Sequence, residues 1–362
     1  MDFLPVRMYE MIGNDKKITQ RTWEEFEEAI KRKKLIIFGA GSALDDIFSK
    51  YDDDIEYIVD NDEKKWQCTY QGVNIYSPAK LKEENVEEII VLISSVFVKS
   101  ISEQLKEYGC NNIFSKRLMN YYERRPKKCD LEKIEKVKQI LSDEESVDTF
   151  NKILEKRNNN EMDYSDLYHK DKVQYFDNKI INVQDDEVLV EAGAFDGVTI
   201  QNFLNWCGNR YKRIYAYEPL KENFEILKKK VIDMKIPKEK IVLKNIALWN
   251  CEEELYFKNG KAGSKIDNDG EIIVQAEALK VDEADKITFV KMDIEGAELK
   301  ALEGMREIIK KDKPKLAICI YHKYDDLWQI PLYIHELEKD YNLYIRHYHR
   351  ICEETVLYAI PR

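Results

Sequence analysis

Short apolar runs separated by longer amphipathic stretches fill the chain, and the two spacings together predict strands alternating with helices. Near the start, a helical stretch around Trp23 to Lys31 leads into the apolar run Leu35 to Phe38, which ends in Gly39-Ala40-Gly41-Ser42. A second run, Ile55 to Val59, ends at Asp60-Asn61-Asp62, and a third, Ile89 to Ser94, precedes a helix near Ile101 to Tyr108 that stops at Gly109. Alternation of this kind predicts a parallel α/β sheet. From Arg125 to about Tyr164 the period changes. Leu131, Ile134, Val137, Ile140 and Leu141 fall at helical spacing, a further run surrounds Phe150 and Leu154, and Arg157-Asn158-Asn159-Asn160 ends the stretch, which reads as a charged helical connector.

The alternation then resumes more completely, with strands expected at Glu187 to Glu191, Arg213 to Tyr217, Lys240 to Lys244, Ile287 to Met292, Lys315 to Tyr321, Leu343 to Tyr348 and Thr355 to Ile360. Only a short turn near Arg350 to Glu353 separates the last two. A parallel crossover needs about a dozen residues, so this pair forms a hairpin and the final strand runs antiparallel. That arrangement is characteristic of Rossmann-like methyltransferases rather than of nicotinamide-dependent dehydrogenases. The expected organisation is a smaller Rossmann-like domain over residues 1–124, the helical connector over 125–165 and a second Rossmann-like sheet over 166–362.

Composition agrees with two globular domains: 362 residues exceed what one hydrophobic core usually serves, and 44% of them are hydrophobic. The net charge of -11 disfavours nucleic acid as a partner. The local basic run Arg124, Arg125, Lys127 and Lys128 reads as a solvated linker. Residues Met1 to Trp23 lack an apolar stretch of signal-peptide length and no later segment approaches a membrane span, so a cytoplasmic location is expected. Cys68, Cys110, Cys129, Cys207, Cys251, Cys319 and Cys352 are scattered without a CxxC pair and read as reduced thiols.

Candidate chemistry gathers at the strand ends of the second sheet. The first strand runs into Glu191-Ala192-Gly193-Ala194-Phe195-Asp196-Gly197, a glycine turn that lets a ligand approach the backbone. A diphosphate would be repelled by Glu191 and Asp196, whereas S-adenosylmethionine has no phosphate and carries a sulfonium and an ammonium that carboxylates favour. The second strand ends in Tyr217-Glu218-Pro219, placing an acid where nucleoside-binding folds hold ribose hydroxyls. Asn245-Ile246-Ala247 would border the adenine. The fourth strand carries Lys291-Met292-Asp293-Ile294-Glu295-Gly296-Ala297-Glu298 before a helix from Leu299 to Ile309, with Glu298 expected to complement the helix N-terminus. His322 follows the fifth strand. His347 and His349, at the hairpin, are expected to be structural or at the substrate's edge.

Val190 to Gly197, Tyr217-Glu218-Pro219, Asn245 to Leu248 and above all Lys291 to Glu298 resemble the FkbM family of methyltransferases, in order, over roughly the last half of the chain. The resemblance implies a class I methyltransferase fold, S-adenosylmethionine as donor and a hydroxyl acceptor on a sugar or polyketide. Where that family commonly has Asp and Asn in the first motif, this chain has Glu191 and Asp196. The expected cofactor-binding set is Glu191, Gly193, Ala194, Asp196, Gly197, Glu218, Asn245, Ala247 and Asp293. Asp293, Glu295 and His322 are the candidate catalytic residues, one of them removing the acceptor's proton. Those three could also meet around a divalent metal, but no dedicated ligand spacing is present and no metal is included in the expected site.

In the first domain, Gly39-Ala40-Gly41-Ser42 supplies two glycines of a GxGxxG turn, and Asp60 follows at the distance of a ribose contact. A nucleotide-sugar or dinucleotide site is expected there, or an unused scaffold. Three functions follow: an O-methyltransferase acting on a saccharide or sugar-nucleotide hydroxyl, an NAD-dependent or nucleotide-sugar-binding protein using Gly39, Gly41 and Asp60, or a non-catalytic assembly module.

Overall fold

The structure is a computed structural model that describes residues 21–41, 44–95, 97–116, 119, 128–159, 161, 163–169, 173–258, 265–266, 270 and 272–362. Ser42 of the first glycine turn, Arg124, Arg125 and Lys127 of the basic run, and Asn160 lie outside the described residues. Contacts divide the chain into Met1–Arg125 and Pro126–Arg362.

The first unit opens with α1 (Trp23–Ile30), started by a reciprocal Thr22/Glu25 capping box. It continues through β1 (Lys34–Phe38), α2 (Asp45–Tyr51), β2 (Ile55–Val59), β3 (Thr69–Tyr70), β4 (Val73–Tyr76), β5 (Ile89–Ile93), α3 (Val98–Glu107) and β6 (Ile113–Ser115). The sheet order is β3-β4-β2-β1-β5-β6, parallel except for the β3–β4 hairpin. Both faces are covered, so the central strands read as continuous apolar runs rather than as alternation. Ile36 and Phe38 pack with Ile101 and Leu105 of α3, while Leu35 and Ile37 pack with Phe26 of α1 and Ile47 of α2. The sequence reading found the three central strands and missed β3, β4 and β6, which are short.

The second unit begins with α4 (Lys128–Ile140) and α5 (Glu144–Asn159). It continues with β7 (Glu187–Ala192), α6 (Val198–Cys207), β8 (Tyr211–Tyr217), α7 (Lys221–Asp233), β9 (Ile241–Lys244), β10 (Ala247–Leu248), β11 (Glu253–Lys258), β12 (Lys265–Ile266) and β13 (Ile272–Glu277). Last come β14 (Phe289–Met292), α8 (Glu298–Gly304), α9 (Arg306–Asp312), β15 (Lys315–Cys319), α10 (Asp326–Leu337), β16 (Tyr341–His347) and β17 (Thr355–Pro361). The main sheet has the order β16-β17-β15-β14-β7-β8-β9, and only β17 runs against its neighbours. This is the expected α/β class I methyltransferase sheet with its antiparallel last strand.

Alternation along β7 sends Val188, Val190 and Ala192 to the face covered by α4, α5, α8 and α10, and Leu189 to the face covered by α6 and α7. The strand order reverses between β7 and β14, and the ends of those two strands therefore border the crevice where open α/β sheets bind ligands.

Three features depart from the sequence reading. The stretch read as a connector is a packed part of the second unit: Ile134, Val137, Phe150 and Ile153 belong to its core. The turn into α5 also covers the sheet edge. Ser142 Oγ accepts from Leu343 N and Ser146 Oγ accepts from Ile345 N, each at 2.9 Å, and Ser142 N donates to Leu343 O. Arg346, nearly buried, pairs with Asp143 at 2.5 Å and Glu145 at 3.0 Å. Second, an unforeseen four-stranded sheet, β10-β13-β11-β12, stands between β9 and β14. Third, the expected helix Leu299 to Ile309 is two helices broken at Met305, next to Gly304, whose missing Cβ would lie 2.1 Å from Trp249 O. No helix among the described residues is long and apolar enough to cross a membrane.

Candidate active site

The turn after β7 is built by its glycines. Gly193 has φ +78°, and a Cβ there would sit 1.9 Å from Asp293 O, so only glycine lets the turns after β7 and β14 touch. Gly193 N and Ala194 N donate to Tyr217 O at 3.1 and 3.0 Å. Asp196 Oδ1 accepts from Val198 N at 3.0 Å at the start of α6, and Gly197 lies against Leu227 of α7.

Beneath this turn Glu191, fully buried, pairs with Lys291 at 2.7 Å, and Lys291 Nζ also donates to Gly193 O at 3.0 Å. Burial pushes the Glu191 carboxyl up to about 7 against the opposing pull of Lys291. For the ammonium, burial acts downward but is overcome by Glu191 and Asp293, which hold it above the usual lysine value. The pair fixes the carbonyl at the root of the turn.

Glu218, at the end of β8, ties two segments together. Its Oε2 accepts from Phe195 N at 3.0 Å, and its Oε1 accepts from Leu220 N at 3.0 Å and Asn223 Nδ2 at 3.3 Å. A carboxylate has about four lone-pair sites, so one remains for a ligand hydroxyl. Burial raises this carboxyl above its usual value. Asn245 Nδ2 donates to the carbonyls of Glu218 and Pro219, both at 2.9 Å, so its donors shape this loop. Ala247 opens β10 and is buried.

Asp293, Glu295 and His322 come together. His322 Nε2 lies 3.3 Å from Asp293 Oδ1 and 3.5 Å from Glu295 Oε2, while Nδ1 lies 2.9 Å from Glu298 Oε1. Burial alone would lower the imidazole, but Glu298, Asp293 and Glu295 raise it to about 9, so the ring is cationic at neutral pH. Glu298 does accept from Ile294 N at 2.9 Å, as an acid at a helix start should, yet it also faces His322 from a fully buried position.

Tyr175 OH donates to Asp293 Oδ2 at 3.0 Å and Tyr321 OH to Oδ1 at 3.4 Å. Glu354, from the β16–β17 turn, is raised by burial and by Asp293. Sequence reasoning missed Tyr175, Tyr321 and Glu354. Its unused signal was Lys291, a charged residue in the middle of an otherwise apolar strand.

His347 takes the structural place expected of it. Its Nε2 lies 2.9 Å from Ile351 O, which can only accept, so Nε2 carries the proton and Nδ1 accepts from Thr355 Oγ1 at 2.9 Å. Burial pushes this ring down to about 4.

In the first unit, Asp60 is used differently from a ribose contact. Its Oδ2 accepts from Ala40 N at 2.7 Å and pairs with Lys65 at 3.0 Å, and its Oδ1 accepts from Asp62 N at 2.8 Å. The carboxylate thus occupies a backbone N–H of the glycine turn that a phosphate would need, and these three donors outweigh burial and lower its pKa.

Residues 191–348 match the family model described as methyltransferase FkbM domain, and residues 31–113 match the one described as C2185-like, N-terminal. The crystal structure of methyltransferase FkbM from Methylobacillus flagellatus is similar at 19% identity with a TM-score of 0.68, covering 97% of this chain and 96% of that one. An rRNA methylase from Streptococcus thermophilus is 14% identical over 50% of this chain and 89% of its own, with a TM-score of 0.33. TrmK of M. capricolum, in complex with S-adenosylhomocysteine, is 16% identical over 49% and 63%, with a TM-score of 0.31. No curated protein matches.

Proposed function

We propose, from the match of residues 191–348 to the methyltransferase FkbM domain model, that the protein is an S-adenosylmethionine-dependent O-methyltransferase acting on a hydroxyl of a saccharide or sugar-linked molecule. The observation that carries this reading is the close approach of Gly193 to Asp293 at the strand-order reversal, which sets the glycine turn after β7 directly against a carboxylate cluster. The donor set fits the cofactor: Asp293, Glu295 and Glu354 favour a cation, and the remaining acceptor site on Glu218 suits a ribose hydroxyl. The acceptor class follows from the family resemblance.

When bound, S-adenosylmethionine supplies an electrophilic methyl: an O–CH3 bond forms as the S–CH3 bond breaks, the electron pair stays on sulfur, and the hydroxyl proton passes to the protein. Gly193 and Ala194 would line the donor, with Glu218 holding its ribose and Ala247 beside its base. Asp293, anchored by the Tyr175 and Tyr321 hydroxyls, would stand at the reacting centre. The carboxylate of Asp293 or Glu295 would receive the proton, with the cationic His322 ring lying 3.3 and 3.5 Å from them.

Calorimetric titration with S-adenosylhomocysteine tests the reading. Saturable binding lost in Gly193→Asp and kept in Gly41→Asp is the expected result. Absence of binding, or binding of NAD alone that Gly41→Asp abolishes, would move the active site to the first unit.

A further inference from the structure

Two consecutive residues far upstream of the crevice hold two of its acids in place. Gln174 Nε2 donates to Glu354 Oε2, and Tyr175 OH donates to Asp293 Oδ2 at 3.0 Å. Asp293 and Glu354 each bring a carboxylate oxygen to within 4.8 Å of the other and of Cys319 Sγ. Two oxygens that share one bridging hydroxyl stand at most about 5.4 Å apart, twice the length of a short O–H···O bond, so an acceptor hydroxyl or a water can span this gap. Asp293 is the more occupied acid, since Tyr321 OH also donates to its Oδ1 at 3.4 Å, whereas Glu354 Oε1 makes no hydrogen bond among the described residues.

The groups around the gap leave the two acids without a cation of their own. Tyr175 OH and Cys319 Sγ, 3.3 Å apart, stay neutral because burial pushes both well above their usual values, and burial does the same for Tyr321. Lys291 is engaged by Glu191 and by Gly193 O, and His322 is faced by Glu295 and Glu298 as well as by Asp293. Two carboxylates this close repel each other, and the first proton to arrive relieves that repulsion and belongs to the pair rather than to either residue. Burial and Asp293 accordingly hold the Glu354 carboxyl above its usual value, against Gln174, Lys291 and His322, which lower it. Backbone strain gathers at the same place: Tyr175, Glu295 and Glu354 have left-handed φ values of +67°, +58° and +64°, a cost that non-glycine residues bear where their surroundings dictate it.

We infer that Asp293 and Glu354 work as one carboxylate pair that carries a proton while no sulfonium is bound, releases it when S-adenosylmethionine arrives, and takes one back from the acceptor hydroxyl as the methyl moves. In that last step the O–H bond breaks, its electron pair remains on the oxygen that forms the O–CH3 bond, the S–CH3 pair stays on sulfur, and the proton lands on the pair. The sulfonium loses one positive charge as the pair loses one negative charge, so the charge of the site is the same before and after. Donor binding thereby readies the base. The inference rests on the methyltransferase reading and adds Glu354 to the acids that handle the proton.

The test is calorimetric titration of the full chain with S-adenosylmethionine and, separately, S-adenosylhomocysteine, in buffers of different ionisation enthalpy, which counts the protons released on binding. Both ligands carry the same ammonium and carboxylate, and over about pH 5–7 the ammonium stays charged, so the difference between them reports the sulfonium. S-adenosylmethionine should release up to about one proton per chain more than S-adenosylhomocysteine at the peak of the pH profile. Glu354→Gln should erase that difference. Gln174→Leu keeps the test decisive if the first variant does not fold: without its hydrogen bond the ionised Glu354 is less favoured, and the peak should move to higher pH. Equal release by the two ligands at every pH, a difference that survives Glu354→Gln, or a peak unmoved in Gln174→Leu overturns the pair. Binding of both ligands without the difference sinks the pair alone, whereas binding of neither sinks the donor reading and the pair with it.

Discussion

The Glu191–Lys291 pair is an ion pair with almost no access to water, and removing one partner strands the other. Lys291→Met should cost about 3–5 kcal/mol in a denaturant titration, whereas Lys291→Met with Glu191→Leu should recover most of it, because neither charge is then left buried alone. Additive losses in the double variant would contradict this. His347 provides the pH-dependent counterpart. An unfolded histidine titrates near 6.5, and the folded ring is held at about 4, so the fold favours the neutral form. Its stabilisation, about 3 kcal/mol, is complete above the unfolded value and is lost as pH falls from there toward 4. His347→Gln should melt lower than the parent at neutral pH yet lose less melting temperature on acidification; parallel losses would show that other groups carry the slope. At this scale the sequence was readable where a residue sits in a motif at a strand end, as Asp293, Glu295 and His322 do. Tyr175 was not readable: it reaches Asp293 from 118 residues upstream, and no local pattern marks a contact made only by folding.

Elements carry the next lesson. Two glycine turns look alike in sequence but not in space. At Gly193 a methyl would collide with Asp293 O and the backbone is left-handed, whereas at Gly41 a Cβ meets nothing within 4 Å. Gly193→Ala should therefore abolish S-adenosylhomocysteine binding and lower the melting temperature by several degrees, while Gly41→Ala should change stability by less than about 0.5 kcal/mol. Similar effects at both would refute the close approach of the turns after β7 and β14. Strands covered on both faces were legible as apolar runs, and the brevity of the β16–β17 turn dictated the antiparallel end. The β10–β13 sheet escaped because its strands are half-buried: Leu255 and Phe257 alternate with exposed positions, as do Val274 and Ala276, and a search for continuous apolar runs passes over such a pattern.

For the molecule as a whole, the break in hydrophobic period near residue 125 was visible, but the assignment of the helices that follow was not. Charged faces made α4 and α5 look like a spacer, and only the packed structure shows that Ile134, Val137, Phe150 and Ile153 face inward. A chain trimmed to begin at 166 should consequently lose its cooperative melt in calorimetry, and one beginning at 126 should keep it. Equal melts would mean that the two helices are dispensable. The turn between those helices has a further consequence. The serines that meet Leu343 and Ile345 lie along the outer rim of β16, which Leu141 and Tyr168 also bridge, the place where a second chain could add a strand of its own. Residues 142–146 therefore act as a guard against self-association, and loss of Ser142 and Ser146 together should show first as concentration-dependent fibre or oligomer growth, before any change in chemistry.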